Sequence, residues 1–131
     1  KYLLEIVRPN VGVITAVGEV PVHVEFFEGP EDVAREKARL IESLPSAGYA
    51  VLNADDDVVA DMRARTRANV FTYGFKEGRS VQITNYEYRT EEKRPIGVSF
   101  KIEYGGSFVP VQLNGSFGRS QGYAAGAAAC V

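Results

Sequence analysis

Residues Val11 to Val17 read VGVITAV, a nearly unbroken apolar and β-branched run with Pro9 just upstream. Such a run suits a strand buried on both faces, as in a parallel sheet. The next sixty residues keep to the pattern of such a sheet. Gly18 to Gly29 reads as a loop holding His23, the one histidine of the chain. Pro30 stands where a first helical residue belongs, with Glu31 and Asp32 in the first turn, and the helix is expected to run to about Leu44, before Pro45. Tyr49 to Leu52 is a second short strand. The Asn53-Ala54-Asp55-Asp56-Asp57 stretch after it reads as the cap of a helix from about Val58 to Arg65. Asn69 to Tyr73 is a third strand, ending at Gly74. Lys1 to Arg8 reads as the end of a helix closed by Pro9. Strand, helix, strand, helix, strand is the order of a parallel α/β sheet.

The pattern changes after Gly74. Ser80 to Arg89, Gly97 to Tyr104 and Phe108 to Leu113 read as antiparallel strands, with turns at Thr90 to Pro95 and Gly105-Gly106. Gln121 to Val131 is rich in Gly and Ala and reads as a helix packed closely on a neighbour. The expected fold class is therefore α/β: a mostly parallel sheet with flanking helices plus an antiparallel section. There is no internal repeat or flexible linker, so residues 1–131 read as one domain, with the short last helix suggesting an incomplete one. A first residue of Lys rather than Met suggests a chain cut from something longer.

Composition narrows the function. A formal net charge of -2 argues against a broadly basic nucleic-acid binder. The single cysteine, Cys130, excludes an internal disulfide and a Cys-based zinc cluster. No apolar run approaches the ~20 residues of a membrane helix. No glycine-rich phosphate loop and no Ser-His-Asp or Cys-His arrangement is legible. Asp55-Asp56-Asp57 lacks the spacing of a calcium loop.

Two residues stand out. On the helix from Pro30, Val33, Leu40, Ile41 and Leu44 define an apolar face, and Lys37 falls in the middle of it. A lysine there reaches water along its stem, pairs with a buried carboxylate, or is held neutral by burial and does chemistry. His23 lies fourteen residues earlier, in the loop after the first strand. Ligands of open α/β sheets bind beyond the carboxyl ends of the strands, so His23 belongs either to that edge or to an ordinary loop surface. Asn53, Asp55 and Asp56 suit metal or ribose binding, or simply helix capping.

Arg8-Pro9, Ile14-Thr15, His23, the helix around Lys37, Asn53-Ala54-Asp55-Asp56 and Tyr73-Gly74-Phe75 together resemble the central ATPase domain of the Mur ligases, across almost all of the chain. Within that family the resemblance leans toward the branch that adds D-alanyl-D-alanine to a UDP-muramyl peptide. It implies a cytoplasmic, ATP-dependent ligase of peptidoglycan precursor synthesis that works through an acyl phosphate. By the same resemblance, Lys37 is the lysine that carries a carbamate, and Lys37 and His23 hold one of two magnesium ions. The family's phosphate loop, a magnesium-binding glutamate and the C-terminal domain have no counterpart in these residues, so the fragment alone is expected to be inactive.

The family's adenine-contacting H-N-x-x-N stretch is replaced by Ser120-Gln121-Gly122-Tyr123-Ala124-Ala125, leaving Gln121 as the one amide there. Asn53 and Gln121 are the expected nucleotide contacts. The loop before His23 is two residues longer than usual, and Ala16 replaces the usual Asn after Ile-Thr. Two further readings stay open: a non-catalytic domain that binds a partner, and a ligase of the folylpolyglutamate or cyanophycin synthetase kind.

Overall fold

Pro9 cannot extend a helix, and the first helix, α1 (Tyr2–Ile6), stops short of it. In a computed structural model, which describes residues 2–17 and 30–131, the chain then enters a six-stranded sheet whose spatial order is the order of the sequence. Strand β1 (Val11–Ile14) leads to α2 (Pro30–Glu42), β2 (Tyr49–Asn53), α3 (Asp57–Asp61) and β3 (Asn69–Gly74). These three strands pair in parallel, Val11 opposite Tyr49 and Tyr49 opposite Asn69. Then come β4 (Val81–Glu91), β5 (Arg94–Tyr104), β6 (Ser107–Asn114) and α4 (Ser120–Ala129). β4 meets β3 in parallel only at Tyr73↔Val81 and Gly74↔Gln82, then runs antiparallel to β5, as β5 does to β6. The parallel and antiparallel sections expected from the sequence are therefore one continuous sheet.

The period-2 alternation of the strands sorts the core onto two faces. Ile14, Ala50 and Leu52 pack with Ala38 and Ile41 of α2, with Leu44 just past its end, and with Val59 and Met62. Val51 and Tyr73 point the other way, onto Ala127 of α4. The small residues of α4 permit that approach. A Cβ at Gly122 would lie 2.6 Å from the Phe75 ring, and one at Gly126 would lie 3.0 Å from Ile83 and 3.1 Å from Tyr73.

Three expected boundaries move. The first strand ends at Ile14 rather than Val17, because its last ladder pair is Ile14↔Leu52 and side chains take the next main-chain groups. The helix expected from Val58 to Arg65 is α-helical only to Asp61 and closes as a 3-10 turn over Met62–Arg65, with Asp56 as its cap. The turn expected over Thr90 to Pro95 is confined to Glu92 and Lys93, both at positive φ, and Pro95 lies in β5 opposite Thr90. That proline is tolerated because the ladder shifts register between Arg89 and Thr90. Gly105 and Gly106, at φ 56° and 81°, make the tight turn expected of them.

β5 passes very close to β6 at Gly97. A Cβ there would lie 2.0 Å from the Leu113 carbonyl oxygen, a main-chain atom that cannot swing away. Gly97→Ala is expected to cost about 1–3 kcal/mol, the usual range for overpacking. The check is a thermal melt, and an unchanged midpoint would mean the two strands part without penalty.

Candidate functional site at the carboxyl ends of β1 and β2

The parallel strands β1 and β2 end side by side, and the residues just past them are held by side chains rather than by a ladder. Asn53 is buried at 6% exposure. Its Nδ2 donates to the Thr15 carbonyl oxygen at 2.9 Å, and its Oδ1 accepts from the Asp55 amide at 3.1 Å. Asp56 caps α3, its Oδ1 accepting from the Val59 amide at 3.1 Å. Its Oδ2 accepts from the Val17 amide at 2.9 Å.

Lys37 comes to this edge from α2. It is not buried: the residue is exposed, and its Nζ donates to the Ala16 carbonyl oxygen at 2.5 Å. It borders a shallow depression with Val13, Ile14, Thr15, Ala16 and Leu40. The sequence pattern misplaced it because it counted only large apolar residues. Ala38, at 0% exposure, sits at the centre of the buried face of α2, with Val33 and Ala34 partly buried beside it and Ile41 and Leu44 beyond. That turns Lys37 onto the flank. Of the three readings of this lysine, burial beside a carboxylate is overturned, and a stem that carries the amine to the surface matches the structure.

The structure thus brings Lys37 and Asn53 together through Thr15 and Ala16. It does not bring Gln121 to them. Gln121 is half-buried in the first turn of α4, which packs on the opposite face of the sheet from α2. His23 lies outside the described residues. Among the described residues no group of three or more His, Cys, Asp or Glu side chains is disposed to hold a metal ion. Burial pushes the Cys130 thiol up to about 11, away from the thiolate form in which a cysteine attacks or binds metal.

Sequence reasoning missed the role of Asp55. Its side chain, 6% exposed, accepts from the Phe75 amide at 2.6 Å, the Tyr123 hydroxyl at 3.1 Å and the Lys76 amide at 3.3 Å, with the Arg79 Nε at 3.5 Å. Burial alone would raise its pKa, but these donors outweigh burial and hold the carboxyl below the ordinary value of 3.8. Arg79 also donates to the Ala54 carbonyl oxygen at 2.6 Å, and the Arg119 guanidinium lies 4.0 Å from the centre of the Phe75 ring. One signal was present in the sequence. Only one of three consecutive aspartates can be an N-cap, which leaves the others free for another task.

The fold and this strand-end arrangement define an α/β domain of the Mur ligase type: the profile of the Mur ligase middle domain matches residues 1–129, and the chain belongs to that family. Over 94 residues, 72% of this chain and 20% of the relative, it is 34% identical to the UDP-N-acetylmuramate--L-alanine ligase of Aquifex aeolicus (strain VF5). Over 68 residues, 52% of this chain and 13% of the relative, it is 43% identical to the UDP-N-acetylmuramoyl-tripeptide--D-alanyl-D-alanine ligase of Mycobacterium bovis (strain ATCC BAA-935 / AF2122/97). Among solved structures it is similar to the MurF ligase of Thermotoga maritima in complex with ADP. That match has a TM-score of 0.78 and 25% identity, covering 98% of this chain and 28% of that one. MurF from Acinetobacter baumannii shares the fold at a TM-score of 0.79 and 24% identity, over 98% of this chain and 27% of that one. The chain thus spans a fifth or less of these curated relatives. Among the described residues, no helix is long and apolar enough to cross a membrane.

Proposed function

We propose that this chain is the middle part of an ATP-dependent, cytoplasmic amide ligase that joins D-alanyl-D-alanine to a UDP-muramyl peptide. The family match over residues 1–129 carries this reading. The D-alanyl-D-alanine branch is favoured because a sequence relative and similar structures belong to it. In the proposed reaction the peptide carboxylate attacks the terminal phosphorus of ATP, giving an acyl phosphate and ADP. The amine of the incoming dipeptide then attacks the acyl carbon, the C–O bond to phosphate breaks, and phosphate and a proton leave. The phosphate loop, the further magnesium ligand and the C-terminal domain would belong to the rest of the ligase. A second reading, transfer of L-alanine to UDP-N-acetylmuramate, is favoured by the longer match to the Aquifex protein.

Within this reading Lys37 acts as a carbamate. Its neutral amine adds carbon dioxide and loses a proton, so a cation becomes an anion. The geometry suits the change: a carbamate keeps one N–H, enough to go on donating to the Ala16 carbonyl oxygen, and the exposed amine leaves room for the added carboxylate. Magnesium takes oxygen ligands and commonly shares them with substrate phosphates. Carbamate oxygens on Lys37, with His23 alongside, would supply what the described residues otherwise lack. The ion would neutralise charge between phosphate and substrate. Asn53 would shape the nucleotide side of the site mainly by fixing Thr15, since both ends of its amide have protein partners. Gln121, on the far face, would contact nucleotide only from the α4 side.

The direct test is ADP release by the intact protein with either substrate pair. Turnover with UDP-muramyl tripeptide and D-alanyl-D-alanine supports the first reading. Turnover only with UDP-N-acetylmuramate and L-alanine replaces it with the second. Turnover with neither, or a parent gene with no phosphate loop upstream of Lys1, removes both. His23→Ala is expected to raise the magnesium needed for half-maximal rate on the order of tenfold, and an unchanged titration would reduce His23 to a loop residue.

A further inference from the structure

Thr15, Ala16 and Val17 lie past the last ladder pair of β1, and three side chains hold their main-chain groups. Two of those contacts fall on one peptide unit. The carbonyl of Ala16 and the amide of Val17 flank the same C–N bond, so they share a rigid plane and point in opposite directions. Lys37 Nζ donates to the oxygen at 2.5 Å, and Asp56 Oδ2 accepts from the N–H at 2.9 Å. A carboxylate, a peptide group and a lysine amine therefore stand in one chain of hydrogen bonds, in which each bond polarises the next.

Capping does not explain why Asp56 makes the second contact. α3 needs one acceptor, and Oδ1 supplies it by accepting from Val59. Ser or Asn would cap as well. Oδ2 is the oxygen left over, and it goes to Val17, thirty-nine residues away in sequence. We propose that Asp56 is a positioning residue for Lys37: by fixing the Ala16–Val17 peptide plane, it aims the carbonyl that holds the Lys37 amine. The proposal rests on the reading of Lys37 as the reactive amine, and its geometric part is open to test without that reading.

The test uses the intact ligase carrying Asp56→Asn, with Asp56→Ser as a second capping variant. Amide exchange is followed at Val17 and Val59, and acylation of Lys37 by acetic anhydride is followed by mass spectrometry in bicarbonate-free buffer, where a carbamate reverts to the free amine, with exposed Lys76 as the internal control. Expected are exchange at Val17 and acylation of Lys37 each faster by about fivefold, the worth of one ordinary hydrogen bond. Protection at Val59 and the rate at Lys76 should stay as they were. Wild-type exchange at Val17 in both variants would overturn the proposal, as would faster exchange at Val17 with Lys37 acylation unmoved. Lys37→Ala, assayed separately, reports on the reading beneath it: retained ligation would remove Lys37 from the reaction, whatever Val17 does.

Discussion

Under the proposed function, Lys37→Ala in the intact protein is expected to lower kcat by roughly 10²–10³, the range seen when one preorganised charge-stabilising group is removed from an active site. The fold should tolerate the change. Lys37 is exposed, and its amine donates a hydrogen bond to the Ala16 carbonyl oxygen at the surface. Alanine is at least as good a helix former as lysine, so α2 should hold. A large fall in rate with an unchanged melting point would therefore mark a lost chemical group rather than a lost fold. Two companions separate the roles of the amine. Lys37→Arg keeps a cation able to donate to Ala16 but cannot form a stable carbamate, so it should be about as slow as alanine. Added formate or acetate should restore part of the rate in Lys37→Ala, by placing a carboxylate where the carbamate would stand. Near-wild-type rates in Lys37→Ala would end the carbamate assignment. Full activity in Lys37→Arg would mean that positive charge, not the carbamate, is what the reaction uses.

The features legible in the sequence were those that short-range physics controls. The β-branched run over residues 11–17 gives β1, short apolar segments give β2 and β3, Pro30 marks the first residue of α2, and the Gly and Ala spacing of α4 foretells its close approach to Phe75, Ile83 and Tyr73. The features that were not legible depend on partners far away in sequence. Val11 to Val17 is uniformly strand-like, yet it stops pairing at Ile14 because Asn53, Lys37 and Asp56 capture the next groups. Lys37 looks buried if alanines are ignored, and Ala38 then decides which way α2 faces. The candidate site was half legible. Lys37 and Asn53 hold neighbouring main-chain carbonyls past the end of β1, while Gln121 lies across the sheet, and no pattern along one chain tells which face a later helix will cover. Asp56 was legible as a cap, but its second oxygen was not, because periodicity and turn chemistry do not register a contact to Val17.

Asp55→Ala should damage the fold more than an ordinary polar substitution does. The carboxylate binds main chain from the β3–β4 connection at Phe75 and Lys76, a hydroxyl from α4 at Tyr123, and the guanidinium of Arg79, and so ties together the ends of β2 and β3 and the start of α4. The space it fills is reserved for it, since a Cβ at Gly74 would lie 2.5 Å from its Oδ1. Removing it strands these donors in a largely buried setting, which typically costs about 3–5 kcal/mol; partial exposure of Arg79 argues for the lower end. The expected loss is about 3 kcal/mol, seen as faster amide exchange at Phe75 and a lower thermal midpoint of the intact protein. The pH dependence has a definite sign. The folded carboxyl titrates below its unfolded value, so its stabilisation is complete above ordinary Asp titration and is lost as pH falls through the lowered folded value. The gap between wild type and Asp55→Ala should accordingly be widest near neutral pH and close in acid. A gap that stays constant down to strongly acid pH would show that the charge on Asp55 contributes nothing and that its shape alone holds the three elements together.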